Sequence, residues 1–360
     1  MPEVQAQRRE RLRALLRQRE VEAALITSLV NVRYLTGLAA SNAALLVGPG
    51  PAVLATDGRY ATAAATAAPD IELAVGRHVA ALLLDRAATA GVRRLGLEDH
   101  VVTLELLESL RRVAELDFVP LRRPVEELRV VKDDEEIRAI RVACEISARA
   151  LAETLPAVVP GRTERGIARE LEGRMVSLGA QAPAFPSIVA AGPHSAIPHH
   201  EPTDRPVERG DLLKVDFGAR YAGYAADITR TFVVGAEPAD WQAELHDLVF
   251  RAQRAGREAL RPGTLVADVD AAARDVIAEA GYAEQFPHGL GHGVGLEIHE
   301  APLLGYGSAA ILRDRTPVTV EPGVYFPGRG GVRIEDTLVV RDDGGAELLT
   351  TTTKELLVLG

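Results

Sequence analysis

Two stretches of this chain repeat one order of features, and that repeat narrows the folds open to it. Pro160-Gly161 leads through Thr163 into a helical stretch with Ile167, Leu171 and Met175 on one face, then Gly179. Pro262-Gly263 leads through Thr264 into a stretch with Val269, Ala273 and Ile277, then Gly281. The Pro-Gly pairs lie 102 residues apart, and each proline precedes its terminal glycine by 19. A helical segment stands before each (136–155 and 240–260), and a strand carrying an acid follows each, LLKVDFG and PVTVEPG. Their acids, Asp216 and Glu321, are 105 residues apart. Pro-Gly turns and amphipathic helices are common singly. Their shared order predicts a duplicated helix–helix–strand half-domain whose two halves face a central cleft and each deliver an acid to it.

Ahead of the repeat the chain alternates helices and strands. Leu12, Leu15 and Leu16 form a helical stripe, and Ala23 to Ile26 is an apolar run. Ala43–Val47 and Ala52–Leu54 read as strands joined by the turn at Gly48–Pro51. An Ala-rich helix follows Asp57-Gly58, and Leu95–Leu97 and Leu104–Val113 read as strand and helix. This is a small α/β domain ending near Leu121. A charged connection follows, Asp133 caps the next helix, and Ile137, Ile140, Cys144 and Leu151 recur at helical spacing, so the larger domain begins near residue 130.

Length and composition set outer limits. The 360 residues suffice for two domains, and 47% apolar with 26% charged residues is globular. A net charge of -10 argues against broad nucleic-acid or anionic-membrane binding. No apolar run is long enough for a membrane span, and the charged N-terminus lacks a signal-peptide pattern, leaving the cytoplasm as the default. Cys144 is the one cysteine, which excludes an intrachain disulfide or a cysteine-rich zinc site and reads as a small core residue.

The polar residues carry the chemistry. LLKVDFG supplies Asp216 and YAADITRTF supplies Asp227, both within apolar flanks where a buried charge needs a partner. Taken singly, each also suits a salt bridge to Arg230 or, for Asp227, a turn. PHGLGHGVGLEIHE adds His288, His292 and His299; VTVEPGVY adds Glu321; GVRIED adds Glu335. Four acids and an imidazole suit two divalent cations about 3.5 Å apart, which lower the pKa of a shared water. The glycines at 289, 291, 293 and 295 argue against a helix and for a strand or loop brought close to substrate. Neither a phosphate loop nor a His-Glu-x-x-His zinc motif is present.

With these residues in this order, the chain resembles the Xaa-Pro peptidases of the pita-bread metallopeptidase family, including aminopeptidase P and prolidase. The resemblance implies an α/β two-domain chain: a creatinase/prolidase-like N-terminal accessory domain over 1–124, marked by YLTG and TDGRY, and a pita-bread catalytic domain with pseudo-twofold duplicated halves over 125–360. It implies five ligands. Asp227 and Glu335 bridge two cations, Asp216 completes one site, and His292 and Glu321 complete the other. Mn2+ is the expected ion, with Zn2+, Co2+ and Fe2+ as alternatives. It further implies that His199 and His299 stabilise the tetrahedral species and relay protons, that Glu321 doubles in proton transfer, and that His288 lies in the substrate pocket. Arg333 would orient a ligating carboxylate, or form a core salt bridge. Tyr325 would border the cleft or serve as its apolar wall. His194 and His200 have no family role and read as loop or surface residues.

The implied substrates are short peptides with proline second, and the implied assembly is a homodimer. In some family dipeptidases an arginine closely follows the His-Glu-x-Pro segment. Here Leu303 stands in that vicinity, and Arg313 lies farther on. That points to an Xaa-Pro aminopeptidase, with an Xaa-Pro dipeptidase as the alternative and a non-proline amidohydrolase behind both.

Overall fold

The structure, a computed structural model, describes residues 2–360 and divides after Arg129 into two compact units. The first unit is a six-stranded sheet in the order Glu72–Val75, Val53–Thr56, Ala43–Val47, Ala23–Ile26, Arg94–Leu97, Asp117–Pro120. Ala43–Val47 runs antiparallel to both its neighbours, joined to Val53–Thr56 by the turn at 48–52, and the remaining pairs are parallel. Leu25, Leu46, Leu83, Leu84 and Leu95 form part of its core. The helix Leu104–Val113 begins at Thr103, whose hydroxyl accepts from the Leu106 amide.

The second unit carries the duplication. Its first half opens with the helix Asp134–Thr154, capped at Asp133 by a box in which Glu136 reaches back to the cap amide. Ile137, Ile140, Cys144 and Leu151 are all buried on it. The helix Glu164–Ser177 follows. Asp240–Ala259 and Val266–Glu279 occupy the same places in the second half. Gly179 and Gly281, which follow the paired helices, both take positive φ, 107° and 86°.

Each half then supplies a sheet and an apolar core. Ile188–Ala191, Leu212–Phe217 and Ile228–Val234 lie side by side in the first, packed with Ile167, Leu171 and Met175. Gly291–Gly293, Glu300–Leu304, Pro317–Val320, Asp336–Val339 and Glu347–Leu348 form the second, packed with Val269, Ala273 and Ile277. Polar groups stitch the halves together. The Glu335 amide donates to the Thr229 carbonyl at 3.1 Å, and the Thr337 hydroxyl donates to the Asp227 carbonyl at 2.7 Å. These stitches hold the acids of the two halves in one place.

Candidate metal centre

Asp216 lies inside the strand Leu212–Phe217, opposite Thr229 of the neighbouring strand. Asp227 immediately precedes that neighbour. Glu321 follows Pro317–Val320, and Glu335 sits in the break between Gly330–Arg333 and Asp336–Val339. Asp216, Asp227, His292 and Glu335 are buried, and Glu321 is partly so. One ligand atom each of Asp227, His292 and Glu335 lies within 4.8 Å of the others. The His292 Nε2 is 3.5 Å from Asp227 Oδ2 and 3.4 Å from Glu321 Oε1. All five border one cavity of about 730 Å³, together with His199, His288, His299 and Arg333.

The electrostatics are those of a site built for cations. Burial, then the charges of Glu335, Asp216 and Glu321, push the Asp227 carboxyl well above its ordinary range. Burial, then Glu321 and Asp216, does the same to Glu335. Burial opposes ionisation of Glu321 as well, but the bond and charge of His292 and the charge of Arg333 bring it down to about 2. Among the described residues, Asp216 Oδ1 and Glu335 Oε1 are buried without a hydrogen-bond partner. Four acids face the single guanidinium of Arg333, and orphaned buried carboxylate oxygens are costly unless a cation meets them. The His292 Nδ1 is 3.0 Å from the Gly293 carbonyl, an arrangement that places its proton there and leaves Nε2 open toward the acids. The donor set therefore fits two oxygen-preferring divalent cations.

Arg333 holds the Asp216 carboxylate, while its other donors reach the Thr229 hydroxyl at 3.1 Å, the Tyr325 hydroxyl at 2.9 Å and the Pro198 carbonyl at 3.1 Å. Strand alternation does not carry Glu335 to this point, since the strand stops at Arg333. The Thr229 hydroxyl does, donating to Glu335 Oε2 at 2.7 Å. Tyr325 is buried behind the cavity and does not line it; its hydroxyl is 2.9 Å from the His288 Nε2. His199 and His299 are exposed to the cavity, and the His299 ring stands perpendicular to that of His292 at 4.4 Å.

Several expectations need correcting. Arg230 pairs with Asp336 on the far side of the strand, not with Asp216 or Asp227. The glycine run borders the cavity at Gly289 and Gly291, and it also approaches neighbouring backbone. A Cβ on Gly291 would stand 2.1 Å from the Thr319 carbonyl oxygen, and one on Gly293 would stand 2.3 Å from that of Ala301. His200 is buried, bonding Glu164 Oε2 at 2.9 Å, and His194 bonds the other oxygen at 2.9 Å. Sequence reasoning missed this Glu164 hub. It also missed the buried Lys132–Glu300 pair at 2.8 Å and the Asp270–Arg274 pair, whose arginine holds the Phe286 and His288 carbonyls.

No helix among the described residues is long and apolar enough to cross a membrane. Residues 138–342 match metallopeptidase family M24, and residues 8–131 match the creatinase/prolidase N-terminal domain. An Xaa-Pro dipeptidase of Pyrococcus horikoshii is 40% identical over 75% of this chain and 76% of its own. The structure of an Xaa-Pro dipeptidase from Bacillus anthracis superposes with a TM-score of 0.96 at 36% identity, over 99% of this chain and 100% of that one. That of an X-Pro aminopeptidase from Thermotoga maritima gives 0.90 at 36%, over 98% and 99%. The chain belongs to metallopeptidase family M24, with a creatinase/prolidase-type domain ahead of its pita-bread catalytic domain.

Proposed function

We propose that this protein hydrolyses the bond between an N-terminal residue and proline, with the Xaa-Pro dipeptide as its preferred substrate. The observation that carries the hydrolytic reading is the convergence of four acids and His292 on one cavity wall, with two carboxylate oxygens lacking partners. The proline preference and the dipeptide lean rest on the similar proteins, among which dipeptidases predominate.

In this reading Asp227 and Glu335 would be shared between two cations, with Asp216 helping to hold one and His292 and Glu321 the other. Mn2+ is the ion we assign, on the oxygen-rich donor set. When bound, the cations neutralise the acids, polarise the scissile carbonyl and lower the pKa of water. Glu321, held ionised, accepts a proton from the attacking water. His199 and His299 face the cavity from separate segments and donate hydrogen bonds to the carbonyl oxygen as it gains charge. One of them passes a proton to the leaving proline nitrogen, which departs as an amine. His288, tethered through Tyr325 to Arg333, borders the space left for substrate.

One observation favours the aminopeptidase as a second reading. A dipeptidase needs a group to receive the proline carboxylate, and Arg333, the only arginine or lysine lining the cavity among the described residues, already donates to Asp216, Thr229, Tyr325 and Pro198. Leu303 lines the cavity at 64% exposure, and Arg313 does not line it. Metal-stripped protein reconstituted with Mn2+ and given equal Ala-Pro and Ala-Pro-Ala decides between them by mass spectrometry of the products. Faster loss of Ala-Pro supports the dipeptidase. Faster conversion of the tripeptide to Ala and Pro-Ala transfers the assignment to the aminopeptidase, and turnover of neither sinks both.

A further inference from the structure

His199 is exposed at the cavity, and its imidazole makes no hydrogen bond with another described residue. Its place must therefore be set by the backbone that carries it. On one side that backbone is tied to Glu164, which accepts from the Thr203 amide at 3.0 Å and bonds His200 at 2.9 Å. On the other side the tie is Lys214. Its side chain has no exposed surface, and its Nζ donates to the Ile197 carbonyl at 2.6 Å and the Pro198 carbonyl at 3.3 Å. The ring of Tyr325 lies 5.0 Å from Nζ.

A lysine in the middle of an apolar strand is expensive to desolvate and needs a compensating set of acceptors. Here its two acceptors belong to the residues directly before His199. Lys214 and Asp216 share one face of the strand Leu212–Phe217 by alternation. One strand face thus holds a metal-ligand carboxylate and the anchor of the His199 segment. Arg333 repeats the arrangement, holding Asp216 and the Pro198 carbonyl with one guanidinium.

We propose that Lys214 is a positioning residue that fixes the Ile197–Pro198 backbone and so holds His199 over the cavity in register with Asp216. The proposal rests on the hydrolytic reading for His199's role, but not for the geometry it asserts. A displacement on the order of 1 Å at such a group costs up to about 100-fold in rate.

The test is Lys214→Met, which keeps the apolar stem and removes the donors, made in the wild-type and His199→Ala backgrounds. In Mn2+-loaded protein the variant lowers kcat about 10- to 100-fold, leaves KM and bound manganese unchanged, and adds less than about twofold to His199→Ala. A crystal structure of Lys214→Met shows His199 moved by roughly 1 Å. Equal losses in both backgrounds, or His199 unmoved, overturn the proposal. Should the methionine variant not fold, Lys214→Gln, smaller than lysine and short of the carbonyls, enters the same cycle and the same crystallography. Absence of wild-type turnover on either peptide removes the Xaa-Pro reading alone, and the position of His199 then decides.

Discussion

Asp227 and Glu335 show how a side chain can be wrong for its surroundings until a second party arrives. Burial and acidic neighbours both oppose their ionisation, whereas cation binding requires it. Arg333 offsets only part of that cost, and its hold on Asp216 fixes the geometry of one carboxylate. Arg333→Met should weaken Mn2+ binding about 10- to 100-fold, measured by competition with a fluorescent chelator; unchanged affinity would refute the anchoring role. His299 makes no hydrogen bond to any of these acids and faces the cavity. Its replacement by alanine should lower kcat about 100-fold while manganese content stays at the wild-type level, which separates a role in the reaction from one in ligation.

At the scale of elements, the acids are useful because strands and stitches present them together. The strand Gly291–Gly293 runs between two neighbours with no space for a side chain at its glycines. Gly291→Ala should lower stability by about 1–3 kcal/mol in urea unfolding, and a neutral result would contradict the close approach to Thr319. Glu164 governs the segment around His199. Burial opposes its charge, but the Ala191 amide, His200 and Thr203 bring its pKa down to about 2. A carboxyl depressed in the folded state contributes stability that is complete above its unfolded value near 4.5 and fades as pH falls toward 2. In metal-free protein Glu164→Gln should therefore cost about 1–3 kcal/mol at pH 7, with the gap to wild type narrowing at pH 3. A gap that widens on acidification would show that Glu164 is not the ionised hub. That the acids converge was legible from sequence, because acids inside apolar runs are rare and the repeat gave them a common destination. The anchors were not. Glu164 reads as an ordinary first-turn acid, and its partners at 191, 194, 200 and 203 lie beyond any local periodicity. Gly289 and Gly291 border the cavity, as the glycine run suggested, but the close approach of Gly291 and Gly293 to Thr319 and Ala301 was not legible, because sequence does not say which strands flank a strand.

Across the whole molecule, the duplication explains the architecture of the centre. Each half folds around its own apolar core, and the acids lie where the halves are bonded to one another through Thr229 and Thr337. The helix order and the 105-residue offset of the acidic strands carried that plan in the sequence. What they did not carry was the exchange at Glu335, where a threonine of the first half, not strand alternation, aims the carboxylate. The measurement that bears most directly on the account is the manganese content per chain after equilibrium dialysis, in wild type and in Glu335→Gln. Two ions in the wild type, falling to one or none in the variant, are the result expected of a carboxylate shared between two cations. A single ion in the wild type, or two ions retained by Glu335→Gln, would contradict the dinuclear centre on which the proposed hydrolysis depends.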